Sequence, residues 1–249
     1  MTTATPRANS DHTQIFVITL PGDEDRRAQL LAQLERMGLR YELLFGVDGR
    51  SGLPAEHEGA VDRARARLKY RRDLSDGEFA CALSHLAAYD QIVRRDLPAA
   101  IVLEDDAILK PAFGMFLKAG ARDIGDLVLL DHTHARVRPR DGVEVIPGIR
   151  ARRLMLPACL TTGYFITRSG ARALLRDALP VSDVADWPQC AERLDMRALD
   201  PRIVDHPDHA EGASHLRTGR PGVRSDPRRF FKAGFWRRWF RKRMSQRIS

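Results

Sequence analysis

The chain has 249 residues, 43% of them hydrophobic, a composition that suits a soluble globular protein with one sizeable α/β domain or two small ones. Three widely spaced cysteines exclude a disulfide framework and a paired-cysteine metal site, and they favour a reducing compartment. No apolar run approaches the roughly 20 residues of a membrane span, and the polar first twelve residues lack the apolar core of a signal peptide, so we expect a cytoplasmic protein.

The positive charge is concentrated at the C-terminal end. The net charge is +8, but residues 217–249 hold twelve of the 41 lysines and arginines and one of the 33 acids, so this tail carries +11 and the remainder −3. Such asymmetry is typical of a basic arm that binds an anionic surface. We therefore expect a disordered leader at 1–12, a folded domain at 13–216, and a linker with a basic aromatic tail at 217–249.

The first predicted elements form a strand–helix–strand unit. An apolar run at 15–20 predicts a buried strand, and acidic residues at 23–25 begin a helix whose apolar residues recur at helical spacing up to Gly38. A second strand follows at 41–47. Short connections of this kind predict parallel strands in one sheet.

The rest of the chain alternates helices, strands and loops. Ser75 and Glu78 fit a capping box, which predicts the start of a long helix. The remaining predicted elements are a partly helical segment at 61–70, the long helix at 75–95, strands at 99–103, 126–130 and 159–167, a helix at 169–177, and a loop-rich stretch at 133–153. The fold class that follows is α/β, with an open, mostly parallel sheet flanked by helices.

Three adjacent carboxylates, Glu104-Asp105-Asp106, directly follow the apolar strand at 99–103. They repel one another, so a fold gains nothing from them unless a cation or a set of donors lies there. Carboxylate oxygens are ligands for Mg²⁺ and Mn²⁺, and nucleotides bind at the carboxyl ends of strands in open α/β sheets. The tripeptide therefore indicates a metal site for a nucleotide diphosphate. The alternative is an acidic turn at a strand end.

Six blocks along the chain together carry a family resemblance. They are Ile15 to Leu20 with Asp25-Arg26-Arg27, Gly46 to Gly49, Leu74 to Glu78 with Leu83-Ser84-His85, Ile101 to Asp106, Gly163 to Thr167 with Ser169 to Ala171, and Asp183 to Pro188. In this order they resemble glycosyltransferase family 25, the lipooligosaccharide and lipopolysaccharide glycosyltransferases, over about residues 14–215. The chain departs from the family pattern at Thr19, where the family usually has Asn, and at Gly46, where it often has Ala.

This resemblance implies a GT-A-like fold, in which the acidic motif of a nucleotide-binding α/β sheet holds a divalent cation, Mn²⁺ or Mg²⁺, against the diphosphate of a nucleotide sugar. It also implies an inverting hexosyl transfer, commonly of galactose from UDP-galactose. The implied acceptor is a bacterial lipooligosaccharide, lipopolysaccharide or related surface glycan.

The resemblance and the residue chemistry together assign the donor site. Asp106 is the expected direct metal ligand, and Glu104, on the same side of an extended strand, binds the metal or the ribose. The other expected donor-binding residues are Arg26, Asp48, Glu78, Ser84, His85 and Asp105. Plainer roles stay open for several of them: a solvated charge for Arg26, a turn for Asp48, helix packing for Ser84 and a core position for His85.

The acceptor side is assigned to the last block. An inverting transfer needs a base that reaches the acceptor hydroxyl, and Asp186 is the first candidate, followed by Asp183. Tyr164 and Trp187 are the expected acceptor-binding aromatics. The alternative for Asp186 is a helix N-cap in a surface loop. A late metal ligand is sought among His206, His209 and His215, without a choice between them.

The tail alternates aromatic and basic residues. Phe231, Phe235 and Trp239 recur every fourth residue among arginines and lysines. This pattern predicts that residues 228–249 bind the anionic cytoplasmic face of the inner membrane, where a lipid-linked acceptor is presented. A disordered basic tail is the alternative. Nucleic-acid binding is not expected, because the remainder of the chain is mildly acidic.

Two functions from other classes compete with a glycosyltransferase. The first is a catalytically silent, membrane-attached protein that binds a glycan or nucleotide sugar, against which the intact tripeptide and Asp186 argue. The second is a sugar nucleotidyltransferase, which usually has a Gly-rich phosphate loop after its first strand. The segment Pro21 to Glu24 is not such a loop.

Overall fold

A computed structural model of the chain describes residues 13–120, 124–156, 158–207 and 239–248. The strands are β1 (Gln14–Thr19), β2 (Glu42–Phe45), β3 (Ala99–Glu104), β4 (Ile108–Leu109), β5 (Leu127–Leu129), β6 (Arg136–Val137), β7 (Val143–Ile146), β8 (Ile149–Leu156), β9 (Gly163–Thr167), β10 (Met196–Asp200), β11 (Val204–Asp205) and β12 (Gln246–Arg247). The α-helices are α1 (Glu24–Arg36), α2 (Arg63–Tyr70), α3 (Asp76–Arg94), α4 (Ala112–Ala119) and α5 (Arg168–Asp177), and two 3-10 helices lie at Ala55–Ala60 and Gln189–Arg193.

One large, open sheet organises the described residues, in the strand order β12-β6-β8-β10-β5-β9-β3-β1-β2, with β7 paired to β8. β1 is parallel to β2 and to β3, and β5 is parallel to β10, whereas the pairs made by β6, β7, β8 and β9 are antiparallel. Because β9 lies antiparallel between β3 and β5, those two strands run in the same direction and end at the same edge of the sheet as β1. The predicted α/β class, an open sheet flanked by helices, is confirmed, and the sheet is mixed.

Two apolar layers cover the sheet because the side chains of its strands alternate between its faces. On β3, Ala100 and Val102 pack in the layer that contains α3 and α5. Ile101 and Leu103 point to the opposite layer, which contains α1 and α4. The strand is therefore apolar at every position until Glu104, as expected for a central strand buried on both faces.

The predicted loop-rich stretch at 133–153 is instead built largely of strands. β7 and β8 form a hairpin around Gly148, whose φ of +78° is one that glycine adopts easily. The alternation of buried and exposed residues in β8 is hard to see in the sequence. Arg150, Arg152 and Arg153 are exposed or half-exposed, and only Ile149 and Ala151 are buried among the first five residues of the strand. The strand predicted at 159–167 is shorter at its start and begins at Gly163.

The C-terminal end of the tail returns to the domain. β12 pairs antiparallel with β6 at the outer edge of the large sheet, and Ile248 is buried beside it. The predicted leader at 1–12 and most of the predicted linker and tail, 217–238, lie outside the described residues. Within the described part of the chain, no helix is both long and apolar enough to cross a membrane.

Candidate functional site

The carboxyl ends of β1 and β3 form the acidic edge, which we define as Thr19, Arg26, Glu104, Asp105 and Asp106. The parallel register places Ile18 directly beside Glu104, so the residues that follow the two strands come together. α1 begins after β1 and supplies Arg26 from its first turns. Four of these five residues were predicted from the sequence to belong to the donor site, and Thr19 was not among them.

Asp105 is the carboxylate with protein partners on both oxygens. Thr19 Oγ1 donates to its Oδ2 at 2.9 Å, and Arg26 Nε donates to its Oδ1 at 2.6 Å. The side chain is 8% exposed. Thr19, which stands where the family usually has Asn, therefore fixes the acidic motif through its hydroxyl group.

Asp106 has a hydrogen-bond partner on one of its two carboxylate oxygens. Arg26 Nη2 donates to its Oδ2 at 2.7 Å, whereas its buried Oδ1 has no hydrogen-bond partner among the described residues. Burial, followed by the negative charge of Glu104, raises the pKa of Asp106 to about 6, against an ordinary value of 3.8. A buried carboxylate oxygen without a partner is unusual, and a bound cation is one way to satisfy it.

Glu104 lies at the end of a chain of hydrogen bonds that starts in the core. The Tyr164 hydroxyl lies 2.8 Å from His85 Nδ1, and His85 Nε2 lies 3.2 Å from Glu104 Oε1, which also accepts from Thr161 Oγ1. Burial works to raise the pKa of Glu104, but the bonds from His85 and Thr161 outweigh it and hold the pKa below its usual range. His85 therefore orients a motif carboxylate.

Cys81 is a site residue that the sequence interpretation missed. It precedes His85 by one helical turn on α3, and its Sγ lies within 4.8 Å of ligand atoms of His85 and Glu104. Burial, followed by the charges of Glu104, Asp186 and Asp106, raises the pKa of its thiol well above the ordinary value. The spacing of four residues before His85 was the signal available in the sequence.

Asp186 is linked to the acidic edge by a short segment of backbone. Its Oδ1 accepts from Leu160 N at 3.2 Å, and the next residue, Thr161, donates to Glu104. Asp186 is half-buried, and the helix that follows it, the 3-10 helix Gln189–Arg193, has Pro188 at its N-cap position, so the helix N-cap alternative does not apply. The first-choice base and the first-choice metal ligands thus belong to one site.

The two expected acceptor-binding aromatics are buried. Tyr164 is fully buried and Trp187 is 5% exposed, and their rings meet edge to face with centroids 5.0 Å apart. The Trp187 indole donates to Leu160 O at 3.2 Å. Neither ring offers a face to a sugar, because both support the loop that holds Asp186 from behind.

Asp183, the second-choice base, connects its loop to α2. It accepts from Lys69 and, at 2.9 Å, from the Tyr70 hydroxyl. Burial and the charge of Asp183 raise the pKa of Tyr70 to about 12. A cavity of about 610 Å³ opens beside Asp183, and Arg65, Cys190 and Glu192 are among the residues that line it.

The segment after β2 is braced against α3. Ser84 Oγ accepts from Val47 N at 2.9 Å and donates to Ala80 O at 2.8 Å. An alanine Cβ at position 46 would lie 2.5 Å from Ser84 Oγ, so this close approach explains the Gly46 departure. Asp48 forms a bidentate pair with Arg50 in the turn that follows, with Arg50 Nε donating to Oδ1 and Nη2 to Oδ2.

Glu78 is held in a structural arrangement away from the acidic edge. It completes the predicted capping box with Ser75 and pairs with Arg72 at 2.5 Å. Its side chain is 3% exposed, and it precedes His85 by seven residues, about 10 Å along α3. Glu78 therefore lies about two helical turns from His85 and is held by Ser75 and Arg72.

A second carboxylate and histidine cluster lies at the end of β5. His206 Nδ1 is 2.8 Å from Asp131 Oδ2, and Asp205 lies close by. Arg202 and Lys110 already neutralise the two acids. His209 and His215, the other candidates for a late metal ligand, lie outside the described residues.

Of the two clusters, the acidic edge fits a divalent cation better. Asp106 Oδ1 is buried without a partner beside the ionised Glu104, and carboxylate oxygens are the donors that Mg²⁺ and Mn²⁺ prefer.

The chain is similar in sequence to several curated proteins. Inactive glycosyltransferase 25 family member 3 of Mus musculus is 29% identical over 171 residues, which cover 65% of this chain and 28% of that protein. Procollagen galactosyltransferase 2 of Mus musculus is 26% identical over 238 residues, covering 86% and 37%. A glycosyltransferase 25 family member of Anopheles gambiae is 28% identical over 183 residues, covering 69% and 30%. The chain thus spans between 28% and 37% of the length of these curated relatives.

A family model described as glycosyltransferase family 25 (LPS biosynthesis protein) matches residues 12–186. The matched range contains the acidic edge, Cys81 and His85, and it ends at Asp186. The chain belongs to glycosyltransferase family 25.

Proposed function

We propose that the chain is an inverting, metal-dependent glycosyltransferase that moves a hexose, galactose from UDP-galactose, to a lipooligosaccharide, lipopolysaccharide or related glycan acceptor. Family membership supports the reaction class, and the names of relatives such as procollagen galactosyltransferase 2 support the sugar. The description of the family as LPS biosynthesis proteins supports the acceptor. The observation that carries the proposal is the buried Asp106 Oδ1, which lacks a partner beside the ionised Glu104.

Asp106 and Glu104 are the residues that would hold the divalent cation, with Asp106 as the direct ligand. When bound, the cation acts as a Lewis acid that stabilises the negative charge on the leaving nucleoside diphosphate. The two carboxylates differ in their environments, which lower the pKa of Glu104 and raise that of Asp106, and this difference suits the task. Glu104 stays ionised at neutral pH through its bonds from His85 and Thr161, so the site keeps a negative charge even when Asp106 is protonated.

Arg26 contributes a guanidinium group to the same edge. It bridges Asp105 and Asp106 from α1, with its side chain 28% exposed. A guanidinium group is a strong bidentate partner for phosphate oxygens, and it lies where the diphosphate is expected. Asp105 holds Arg26 in this position through the Nε bond, and Thr19 holds Asp105 in turn.

Asp186 is the proposed general base. Leu160 N occupies its Oδ1, which fixes the carboxylate near the acidic edge. In an inverting transfer, a carboxylate opposite the leaving group accepts the proton of the acceptor hydroxyl as that oxygen bonds to the sugar. The buried Trp187 and Tyr164 hold the loop rigid, so the position of Asp186 does not depend on the acceptor.

A second candidate function is a catalytically silent binding protein. It is favoured by one finding, that the mouse relative at 29% identity is named inactive. The two functions share a donor site and differ in turnover.

A donor screen separates these functions. Purified protein is incubated with a panel of nucleotide sugars and acceptor glycans, with Mn²⁺, Mg²⁺ or chelator, and both donor binding and nucleotide release are measured. We expect binding and turnover with UDP-galactose that require the cation. Binding without turnover on any acceptor would establish the silent protein instead, and full activity in chelator would remove the metal from the proposal.

A further inference from the structure

The last described residues form a small unit fixed to the edge of the sheet. This C-terminal element, residues 239–248, consists of a helical turn at 239–243 followed by β12. β12 pairs with β6, and Ile248 N donates to Ala135 O at 3.0 Å while its side chain is buried. Arg136 Nη1 also donates to Lys242 O at 3.0 Å. The element therefore has a defined orientation on the domain.

Three large apolar side chains of this element face solvent. Trp239 is 41% exposed, Phe240 59% and Met244 64%. The Trp239 and Phe240 rings meet edge to face with centroids 5.3 Å apart, so they form one aromatic surface. Ile248, on the other side, is the apolar side chain that anchors the element to the domain.

Positive charge surrounds the aromatic surface. Among residues 239–248 there are four basic side chains and no acid. The stretch from β6 to β8 adds four exposed arginines, Arg138, Arg140, Arg150 and Arg153, against one exposed acid, Glu144. The sheet edge that carries the element is thus basic, although the chain outside the tail has a net negative charge.

We infer that the C-terminal element is a docking site for an anionic lipid bilayer, the cytoplasmic face of a membrane. Exposed Trp, Phe and Met side chains next to Arg and Lys suit the interface between acyl chains and anionic headgroups. Because β12 locks the element to the sheet, the bilayer would hold the whole domain in one orientation.

This orientation places the acceptor side of the site near the lipid, a consequence that rests on the proposed function. Arg241 Nη1 pairs with Glu192 Oε2 at 3.2 Å, and Glu192 also lines the cavity beside Asp183. Asp186 precedes Glu192 by six residues, which span at most about 20 Å. A sugar chain on a lipid anchor would reach the cavity from the membrane surface.

The experiment measures vesicle binding of the full chain, without donor or acceptor. We expect co-sedimentation with phosphatidylcholine vesicles that contain about a third phosphatidylglycerol, weakening with salt, and little binding to phosphatidylcholine alone. Phe240→Ser with Met244→Ser should weaken partition at least about tenfold. Lys242→Gln with Arg243→Gln should weaken partition about thirtyfold, since each basic residue near such a surface strengthens partition about fivefold.

A matched control removes two exposed apolar side chains elsewhere. Leu68→Ser with Met115→Ser changes residues that are 83% and 50% exposed on α2 and α4, and it should leave vesicle binding unchanged. The inference is overturned if Phe240→Ser with Met244→Ser binds like the wild type. It is equally overturned if the wild-type chain binds oligonucleotides but not vesicles, or if the Phe240 and Met244 surface proves to mediate dimerisation by sedimentation analysis.

A separate arm tests the link to the acceptor. Arg241→Gln breaks the pair with Glu192 and should lower turnover on a lipid-embedded acceptor at vesicle concentrations that bind all of the protein, with turnover on a soluble acceptor retained. Equal turnover of the variant and the wild type on both acceptors would refute the orientation while leaving membrane binding intact. If the wild type shows no turnover on either acceptor, the proposed function is refuted, but the vesicle measurements still test membrane binding.

Discussion

Asp106→Asn should stabilise the metal-free protein while it abolishes metal-dependent donor binding. The environment of Asp106 disfavours its charged form, because the carboxylate is buried, Glu104 repels it and Oδ1 has no hydrogen-bond partner among the described residues. The pKa of about 6 already includes the attraction of Arg26, which is too weak to offset burial. Asparagine resembles the neutral acid in size and shape. The substitution therefore removes both the cost of burying a charged carboxylate and the carboxylate that would bind the metal.

The size of the effect follows from the pKa. A change from 3.8 to about 6 corresponds to about 3 kcal/mol between the two protonation states. Since the folded state holds this proton more tightly than the unfolded chain, the contribution of Asp106 to wild-type stability falls as pH rises from about 4 to about 6 and then stays low. The gain in the free energy of unfolding of Asp106→Asn should therefore be largest above about pH 6 and nearly absent at about pH 4.

Urea unfolding at several pH values, in chelator, measures this difference. Asp105→Asn is the matched control, since both oxygens of Asp105 accept charge-assisted or buried hydrogen bonds. That variant should lose about 1.5–3 kcal/mol. Addition of Mn²⁺ with UDP should raise the melting temperature of the wild type and not of Asp106→Asn. If Asp106→Asn destabilises the protein as much as Asp105→Asn does, the reasoning about the partnerless oxygen fails.

Three further substitutions separate chemistry from structure. Asp186→Asn should lower turnover by roughly 10²-fold or more, with donor affinity almost unchanged in calorimetry; collapse of donor affinity would place Asp186 in the nucleotide site. Glu78→Gln should cost about 3 kcal/mol in urea unfolding, because Arg72 is left without its buried partner, and normal donor binding by the folded protein would confirm a structural role. Tyr164→Phe removes the bond to His85, so turnover should fall with little change in donor affinity; an unchanged turnover would show that the chain of bonds to Glu104 does not matter.

Local pattern was sufficient to predict several elements and most of the acidic edge. The apolar run before Glu104 became β3, and the capping box at Ser75 began α3 as predicted. Both signals lie within a few residues of the element that they define. The meeting of Arg26 with Asp106, eighty residues apart, followed from the rule that parallel strands end at one edge.

What the sequence did not reveal depends on contacts that carry no local pattern. Nothing near Thr161 indicates that its hydroxyl bonds Glu104, because that contact depends on β9 pairing with β3. Tyr164 and Trp187 were expected at the acceptor, since an aromatic residue in a motif can stack on a sugar or fill a core equally well. The strand β8 was missed because its arginines conceal the period of two.

The three neighbouring carboxylates are compatible with a stable fold because each has a different environment. Glu104 is held ionised by His85 and Thr161, and Asp105 by Thr19 and Arg26, so their charges are compensated by protein groups. Asp106 alone keeps a buried oxygen without a partner, and its raised pKa limits the mutual repulsion by allowing it to take up a proton. A cation that displaces this proton would relieve the desolvation and the repulsion at once. Asp106 is therefore the carboxylate whose charge the protein groups compensate least and the one that a bound cation would stabilise most, which is why we assign the direct ligand to Asp106.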